Sequence, residues 1–205
     1  TPGRMYVDPA SGIFSDTTAS AKRFDLWFRK EANAPSSLCA LFSITFQNGD
    51  FVYLWRNSSS IGVNVKKSGV ETSISGTYSN STNDVWRHIR VLISGASVFV
   101  SADGAQRATQ VLGSNAWPGS NTNAISEVII GDFPPSLGLS SATYGFRGCL
   151  DGIEWLEGDT SYTGGSYTLP TREPADFDPT YIAGVSGTGA NTTASVGSYG
   201  EGKVV

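Results

Sequence analysis

Residues 86–104, WRHIRVLISGASVFVSADG, constrain the fold of this chain more than any other stretch. A two-residue turn at Ser94-Gly95 predicts a β-hairpin, because short loops that contain glycine have the twist that joins antiparallel strands. Pairing outward from this turn places Ile89 opposite Val100 and puts the aliphatic side chains on one face. A slip of one residue would send that whole face to the solvent. The stretch therefore predicts two antiparallel strands that cover a core.

The polar side of this hairpin contains the only histidine of the chain. The predicted register places His88 opposite Ser101 and Arg90 opposite Phe99. A Ser-His-Asp triad would have to use His88, yet the sequence contains no nucleophile-elbow motif. We therefore predict that His88 is a structural cross-strand partner of Ser101 and not a catalytic residue.

The segment CALFSITFQNGDFVYLW contains a second hairpin signal, Asn48-Gly49, which is the dipeptide preferred in type I′ turns. Pairing outward from it aligns Phe46 with Phe51, and the same register aligns more aromatic residues. Cross-strand aromatic pairs each stabilise a sheet by roughly 0.2–1 kcal/mol. The resulting ladder is predicted to be core and not a ligand platform; it comprises Phe42, Ile44, Phe46, Phe51, Tyr53 and Trp55.

Alternating or apolar segments bounded by turn residues predict the remaining strands. RFDLWFRKE places Phe24, Leu26 and Phe28 on a buried face and leaves Trp27 among charges. Further strands are predicted at residues 5–7, in a hairpin with its turn at 66–69, and at 106–112, 126–131 and 144–157. No segment has a helical period or a capped helix start, so the chain is predicted to be all-β.

The last predicted strand contains an irregularity at Gly152. Leu150, Ile153 and Trp155 can share one face only if an extra residue is inserted near this glycine. A glycine within a strand is typical of such a bulge. We therefore predict a bulge at this position.

The same strand contains two carboxylates, Asp151 and Glu154. A regular strand would place them on opposite faces, whereas the bulge would bring them to one face. Glycoside hydrolysis needs two facing carboxyl groups, about 5–5.5 Å or 6.5–9.5 Å apart. A polysaccharide-degrading enzyme is therefore kept as an alternative function.

Composition excludes some classes of function. The chain has 14 Lys and Arg against 18 Asp and Glu, and a net charge of −4, so it lacks the basic stripe that neutralises phosphates. We predict no nucleic-acid binding. The apolar runs fall well short of the roughly 20 residues of a membrane helix, so no membrane insertion is expected.

The composition changes near the C-terminus. Residues 171–205 are rich in Pro, Gly, Ser and Thr, and cannot bury enough apolar area to offset chain entropy. This tail is expected to be extended and to be ordered by docking on its own domain or on a neighbouring subunit.

Six pieces of the sequence, taken in order, resemble laminin G-like, concanavalin A-like domains: FDLWFRKE, LCALFSI, FVYLW, VWRHIRVLISGASVFVSADG, SEVIIGD and YGFRGCLDGIEW. The resemblance covers residues 21–157. It implies a two-sheet antiparallel β-sandwich, a jelly roll, which we place at residues 1–170. One departure from the family pattern is Arg87, which stands between Trp86 and His88.

The resemblance also concerns the two cysteines. The usual disulfide of the family joins the final-strand cysteine to a partner nearby in sequence, whereas Cys149 can pair here only with Cys39. That bond requires Cα atoms within about 7 Å. Two free thiols are the alternative.

Members of this family often bind Ca²⁺ at the rim of the sandwich through acidic side chains and carbonyl oxygens. The resemblance implies Asp103 and Asp132 as rim candidates, although ordinary turns also place aspartate at such positions. No cofactor is required, and Ca²⁺ is the one metal considered.

Three aromatic residues in polar loops are candidates for stacking on a sugar: Tyr78, Trp117 and Phe133. Each is equally suited to plugging an edge of the sandwich. N-glycosylation triplets begin at Asn57, Asn80 and Asn191, and they favour an extracellular setting slightly.

These observations predict a non-catalytic recognition module that binds a glycan or a surface protein, in an extracellular or virion-surface protein. The alternative is a structural subunit that self-associates or contacts neighbouring subunits through its C-terminal tail.

Overall fold

The computed structural model describes residues 5–7, 21–31, 38–79, 82–119, 124–133, 137–138, 145–158 and 164–170. The predicted tail at 171–205 lies outside them. Within them, no helix is long and apolar enough to cross a membrane. The elements are β1 (Met5–Val7), β2 (Lys22–Lys30), β3 (Cys39–Phe46), β4 (Phe51–Arg56), β5 (Ser60–Lys67), β6 (Val70–Thr77), β7 (Trp86–Ser94), β8 (Ser97–Ala102), β9 (Ala105–Val111), β10 (Ile125–Ile130) and β11 (Gly148–Glu157).

These strands form two antiparallel sheets that pack as a sandwich. One sheet has the order β1-β10-β3-β4-β5-β6, and the other has the order β11-β2-β7-β8-β9. Alternate side chains of the strands point inward and form one core, as the period of two requires. The predicted inner residues of β2, Phe24, Leu26 and Phe28, are all in this core. The predicted all-β sandwich is confirmed.

The β7–β8 hairpin has the predicted faces but a different register. The turn lies one residue later, at Gly95-Ala96, and Gly95 has the positive φ of 54° that the first position of a type II′ turn requires. Arg90 therefore lies opposite Ser101, and the predicted pairing of His88 with Ser101 is wrong. The inner face is unchanged because the pairing shifts by two residues.

The β3–β4 hairpin differs from the prediction by one residue, which reverses the faces of β4. Phe46 N donates to Asp50 O at 2.9 Å, so the connection has three residues, and Gly49 at its end has a φ of +81°. Thr45 therefore lies opposite Phe51, and the predicted ladder is wrong. Its members divide between the core, with Phe42, Ile44 and Phe46, and the outer face, with Phe51, Tyr53 and Trp55.

Strand β11 contains the predicted bulge. Its pairing with β2 shifts between Asp151 and Glu154, and Gly152 has a φ of +53°. Because of the bulge, Asp151 lies opposite Trp27 and Glu154 lies opposite Asp25, so both carboxylates share the outer face. Three apolar side chains pack against the core from the inner side: Leu150, Ile153 and Trp155.

Candidate ligand-binding face of the five-stranded sheet

The outer face of the five-stranded sheet carries charged and aromatic side chains in rows that cross the strands. The rows arise because β2 places polar or aromatic residues at every second position between its core residues, and β7 and β11 do the same beside it. In order, they are Cys149, Arg29 and Trp86 (first row), Asp151, Trp27 and His88 (second row), and Glu154, Asp25, Arg90 and Ser101 (third row).

A buried ion pair occupies the third row. Arg90 Nε and Nη2 donate to Asp25 Oδ1 and Oδ2 at 2.8 and 2.7 Å, which is the bidentate geometry that a guanidinium and a carboxylate share. Arg23 Nε lies 3.3 Å from the same carboxylate. Asp25 and Arg90 are only 3% and 9% exposed. Their charges are therefore neutralised within the protein.

Residues 164–170, here called the strap, cross this end of the face. Tyr167 N donates to Gly104 O at 2.9 Å, and Gly165 N donates to Gln106 Oε1 at 2.7 Å. The centroid of the Tyr167 ring lies 4.2 Å from Arg90 Cζ, within the range of a cation–π contact. The strap therefore covers Arg90, whereas Glu154, in the same row on β11, is exposed.

His88 lies under the strap and is fully buried. Its Nδ1 and the Tyr167 hydroxyl are 2.7 Å apart, and its ring meets Trp27 edge-on with centroids 4.9 Å apart. Burial lowers the pKa of His88 to about 4, because a charged imidazole would lose its hydration. His88 is therefore neutral near pH 7, and none of the described residues forms a hydrogen bond with its Nε2.

The opposite end of the face is not covered by the strap. We call Trp27, Arg29, Trp86 and Cys149 the open end, and all four are half-buried. Arg29 Cζ lies 5.4 Å from the centroid of the Trp86 ring, and Arg29 Nη2 donates to Cys149 Sγ at 3.3 Å. That hydrogen bond raises the pKa of Arg29. Within the described part of the chain, no carboxylate forms an ion pair with Arg29.

The bulge of β11 determines what stands beside Trp27. A Cβ atom at Gly152 would lie 3.1 Å from Trp27 Cδ1, closer than an ordinary van der Waals contact. The positive φ of Gly152 also disfavours any residue with a side chain. The glycine therefore lets β11 pack closely against this edge of the indole, where a side chain would crowd it.

The predicted rim ligand Asp103 is already bonded within the protein. Its Oδ2 accepts hydrogen bonds from Tyr78 Oη at 2.6 Å and Arg87 Nη1 at 3.0 Å, and its Oδ1 accepts one from His88 N at 3.0 Å. Burial and the bond to Asp103 raise the pKa of Tyr78. These donors and the guanidinium of Arg87 do not fit a Ca²⁺ site at Asp103, because calcium needs six to eight oxygens.

The second rim candidate, Asp132, is 2% exposed, and its Oδ1 accepts a hydrogen bond from Phe133 N at 2.8 Å. Among the residues that the structure describes, no three His, Cys, Asp or Glu side chains form a group that could hold a metal ion. Calcium binding stays a prediction.

The three aromatic candidates for sugar stacking are buried. Tyr78, Trp117 and Phe133 are 5%, 1% and 1% exposed. Trp117 meets Phe46 with ring centroids 5.3 Å apart, and Phe133 lies 5.0 Å from the Tyr53 ring. This corrects the stacking interpretation, because a ring enclosed on both sides has no face for a sugar. Tyr78 and Trp117 belong to the core between the sheets, and Phe133 packs with Tyr53 on the outer face of the six-stranded sheet.

The cysteines are free thiols. Cys39 is buried in the six-stranded sheet, and Cys149 is half-buried in the other sheet, so the Cys39–Cys149 disulfide is not formed. The Oδ1 atom of Asn57 accepts hydrogen bonds from Ser59 N and Ser60 N at 2.9 and 2.7 Å. Glycosylation at this triplet stays a prediction, and Asn80 and Asn191 lie outside the described residues.

Reasoning from the sequence did not select Arg29 and Trp86. The alternation of RFDLWFRKE puts Arg29 on the face of Trp27, and that of WRHIR puts Trp86 on the face of His88. Only the pairing of β2 with β7 places Arg29 opposite Trp86.

The fold is similar to those of several solved proteins. The CBM40 module of Ruminococcus gnavus IT-sialidase bound to α2,3-sialyllactose is 14% identical, with a TM-score of 0.50 over 63% of this chain and 71% of that chain. A family 7 alginate lyase, A1-II′, solved with a substrate, is 12% identical, with a TM-score of 0.51 over 76% and 69%. Mouse laminin α1 domains LG4-5 are 15% identical, with a TM-score of 0.49 over 74% and 40%.

At these identities the structural similarities show the fold alone. No curated protein has a sequence that matches this chain significantly. The laminin G domain family matches residues 34–157, which are more than half of the chain and include strands β3 to β11. The resemblance predicted from the sequence is thereby confirmed, and this chain belongs to the laminin G domain family.

Proposed function

We propose that this laminin G domain is a non-catalytic recognition module that binds a glycan at the open end of the five-stranded sheet. The observation that carries the proposal is the arrangement of Trp27, Arg29 and Trp86, which are half-buried neighbours on one sheet face. Side chains on a rigid sheet are already held in place, so little conformational entropy is lost when a ligand binds.

The chemistry of this group suits a sugar. Sugar rings have apolar C–H faces and hydroxyl edges, and an exposed indole offers an apolar face with an N–H at its rim. Trp27 and Trp86 are diagonal neighbours across β2 and β7, a relationship that spans roughly 7–8 Å. The guanidinium of Arg29 adds hydrogen-bond donors for oxygen atoms of the ligand.

One further observation supports glycan as the ligand class. The CBM40 module and the alginate lyase, which are similar in fold, were both solved with saccharides bound. The family assignment and the triplet at Asn57 favour an extracellular setting. The partners would then be glycans or glycosylated surface proteins.

We favour binding over catalysis because of how the candidate catalytic groups are held. Glu154 is largely exposed and lies 3.8 Å from Arg23 Nη2. Asp151 Oδ1 accepts a hydrogen bond from Gly152 N at 2.8 Å, and His88 is enclosed beneath the strap. Glu154 is exposed and Asp151 is half-buried, so neither carboxyl group is enclosed in the apolar surroundings that are typical of a general acid.

A glycan array tests the proposal. We expect the full chain to bind a subset of glycans, and we expect Trp27→Ala and Trp86→Ala each to weaken binding at least tenfold, because each removes a stacking surface. Val111→Ala is the matched control, since Val111 is 68% exposed on β9, the opposite edge strand of the sheet. A blank array with folded protein, or binding that both tryptophan variants retain, would contradict the proposal.

A further inference from the structure

We infer that Arg29 makes the open end selective for anionic glycans by receiving a carboxylate of the ligand. This inference rests on the proposed function, because it specifies what kind of glycan the site takes. The arginines on or beside this face differ in their hydrogen bonding.

Two other arginines on or beside this face, Arg90 and Arg87, are committed to acceptors of the protein. Arg90 forms the bidentate pair with Asp25, and Arg87 donates to Asp103 at 3.0 Å. Arg29, by contrast, donates to the sulfur of Cys149, and no carboxylate in the described part of the chain pairs with it. A guanidinium has five N–H donors, and a thiol sulfur is a weak acceptor. Most of the donor capacity of Arg29 is therefore unused.

The contact with Trp86 orients the guanidinium. An indole ring offers no hydrogen-bond acceptor, so the contact of Arg29 Cζ with the Trp86 ring at 5.4 Å uses none of the N–H donors of the guanidinium. Pairs of these donors match the two oxygens of a carboxylate. Asp84 and Glu31 act on Arg29 only through space, and both are exposed. They leave the guanidinium without a bonded anion.

Desolvation determines the class of ligand. A sugar that stacks on Trp27 and Trp86 must cover Arg29, because Arg29 lies in the row next to Trp27 and directly opposite Trp86. Covering an unpaired charge is costly unless the incoming group supplies a countercharge. A neutral sugar would lose the hydration of Arg29 without replacing it, whereas an acidic sugar replaces water with a bidentate, charge-assisted pair. The open end should therefore prefer sugars that carry a carboxylate.

The test compares glycans that differ in one charged group. The probes are sialyllactose against lactose, oligogalacturonate against its methyl ester, and a sulfated against an unsulfated disaccharide, each titrated against the full chain. In the first two pairs, we expect the member with the free carboxylate to bind at least tenfold more tightly than the member without it. Arg29→Gln should abolish this difference, and Arg29→Lys should restore only part of it, because lysine has the charge without the planar fork. Arg107→Gln, which removes one charge from β9, is the control and should retain the preference.

The outcomes separate the two proposals. Binding that depends on Trp27 and Trp86 but is equal for neutral and carboxylated sugars would overturn the inference and leave the proposed function standing. A preference for the sulfated probe alone, or a carboxylate preference that Arg29→Gln retains, would also overturn the inference. If no glycan binds, the proposed function fails, and the inference fails with it.

Discussion

Arg90 and Arg29 lie on the same face of the same sheet, two rows apart, and their environments differ. Arg90 is 9% exposed, forms a bidentate pair with Asp25 and lies against the ring of Tyr167. Arg29 is half-buried and donates to the sulfur of Cys149. The difference shows that residue type and strand position do not assign a role. A charged side chain is structural when the protein satisfies its donors, and it is available for recognition when the protein leaves them unused.

The outer face of the six-stranded sheet supports the same conclusion. Trp55 Nε1 donates to Asn64 Oδ1 at 2.6 Å, and Asn64 Nδ2 donates to Glu71 Oε1 at 2.6 Å. Trp55 and Tyr53 are only 8% and 7% exposed. This face also combines aromatic and polar groups, but they bond to one another and the rings are covered. For this reason our proposal puts the ligand at the open end and not on this face.

Replacing each arginine with alanine tests whether Arg90 is structural and Arg29 is not. Arg90→Ala should lower the free energy of unfolding by about 3–5 kcal/mol, because it leaves the Asp25 carboxylate buried without its partner. Arg29→Ala should change it by no more than about 0.5 kcal/mol, as is usual for surface substitutions. Urea unfolding followed by fluorescence measures both. Equal losses in the two variants would show that Arg29 is also structural.

Acidification should destabilise the covered end through His88. The pKa of His88 is about 4 in the folded protein against an ordinary value of 6.5, so the unfolded chain binds the proton more tightly. The resulting stabilisation is fully present above pH 6.5 and is lost as the pH falls towards 4, to a total of about 3 kcal/mol.

Unfolding measured at several pH values tests this prediction, with His88→Gln as the comparison. The variant should lack the part of the pH dependence between 6.5 and 4 that His88 contributes. If wild type and variant lose stability in parallel over that range, His88 is not the group responsible.

The smallest expected effect concerns the strap. Tyr167→Phe keeps the ring against Arg90 but removes the hydroxyl that meets His88 Nδ1, so we expect a loss of about 0.5–1.5 kcal/mol. Leu169→Ala is the control within the strap, since Leu169 is 41% exposed. Thermal or urea unfolding measures both variants. A Tyr167→Phe protein as stable as wild type would mean that the hydroxyl does not hold the strap on the sheet.

Local patterns predicted several features correctly. The alternation of β2 assigned Phe24, Leu26 and Phe28 to the core, because a period of two depends only on the strand itself. The bulge at Gly152 was predictable for the same reason, since three apolar side chains had to share one face.

The connection between β3 and β4 was not predictable in this way. The Asn48-Gly49 dipeptide favours a two-residue turn, but the chain uses three residues and reverses β4. Asp50 explains the difference: it is buried, and its carboxylate accepts hydrogen bonds from Ser68 N at 2.8 Å and Gly69 N at 3.2 Å. Those donors belong to the turn of another hairpin, so the register depends on a contact between hairpins.

The sequence by itself determined the class of fold, the family and the side chains that share a strand face, because these follow from local alternation and from motifs in order. Only the tertiary structure decided that β2 lies between β11 and β7, and that the strap covers one end of this sheet. Strand neighbours and coverage depend on pairings between distant segments. They determine which donors the protein satisfies, and for that reason Arg90 is part of the scaffold while Arg29 is available to a ligand.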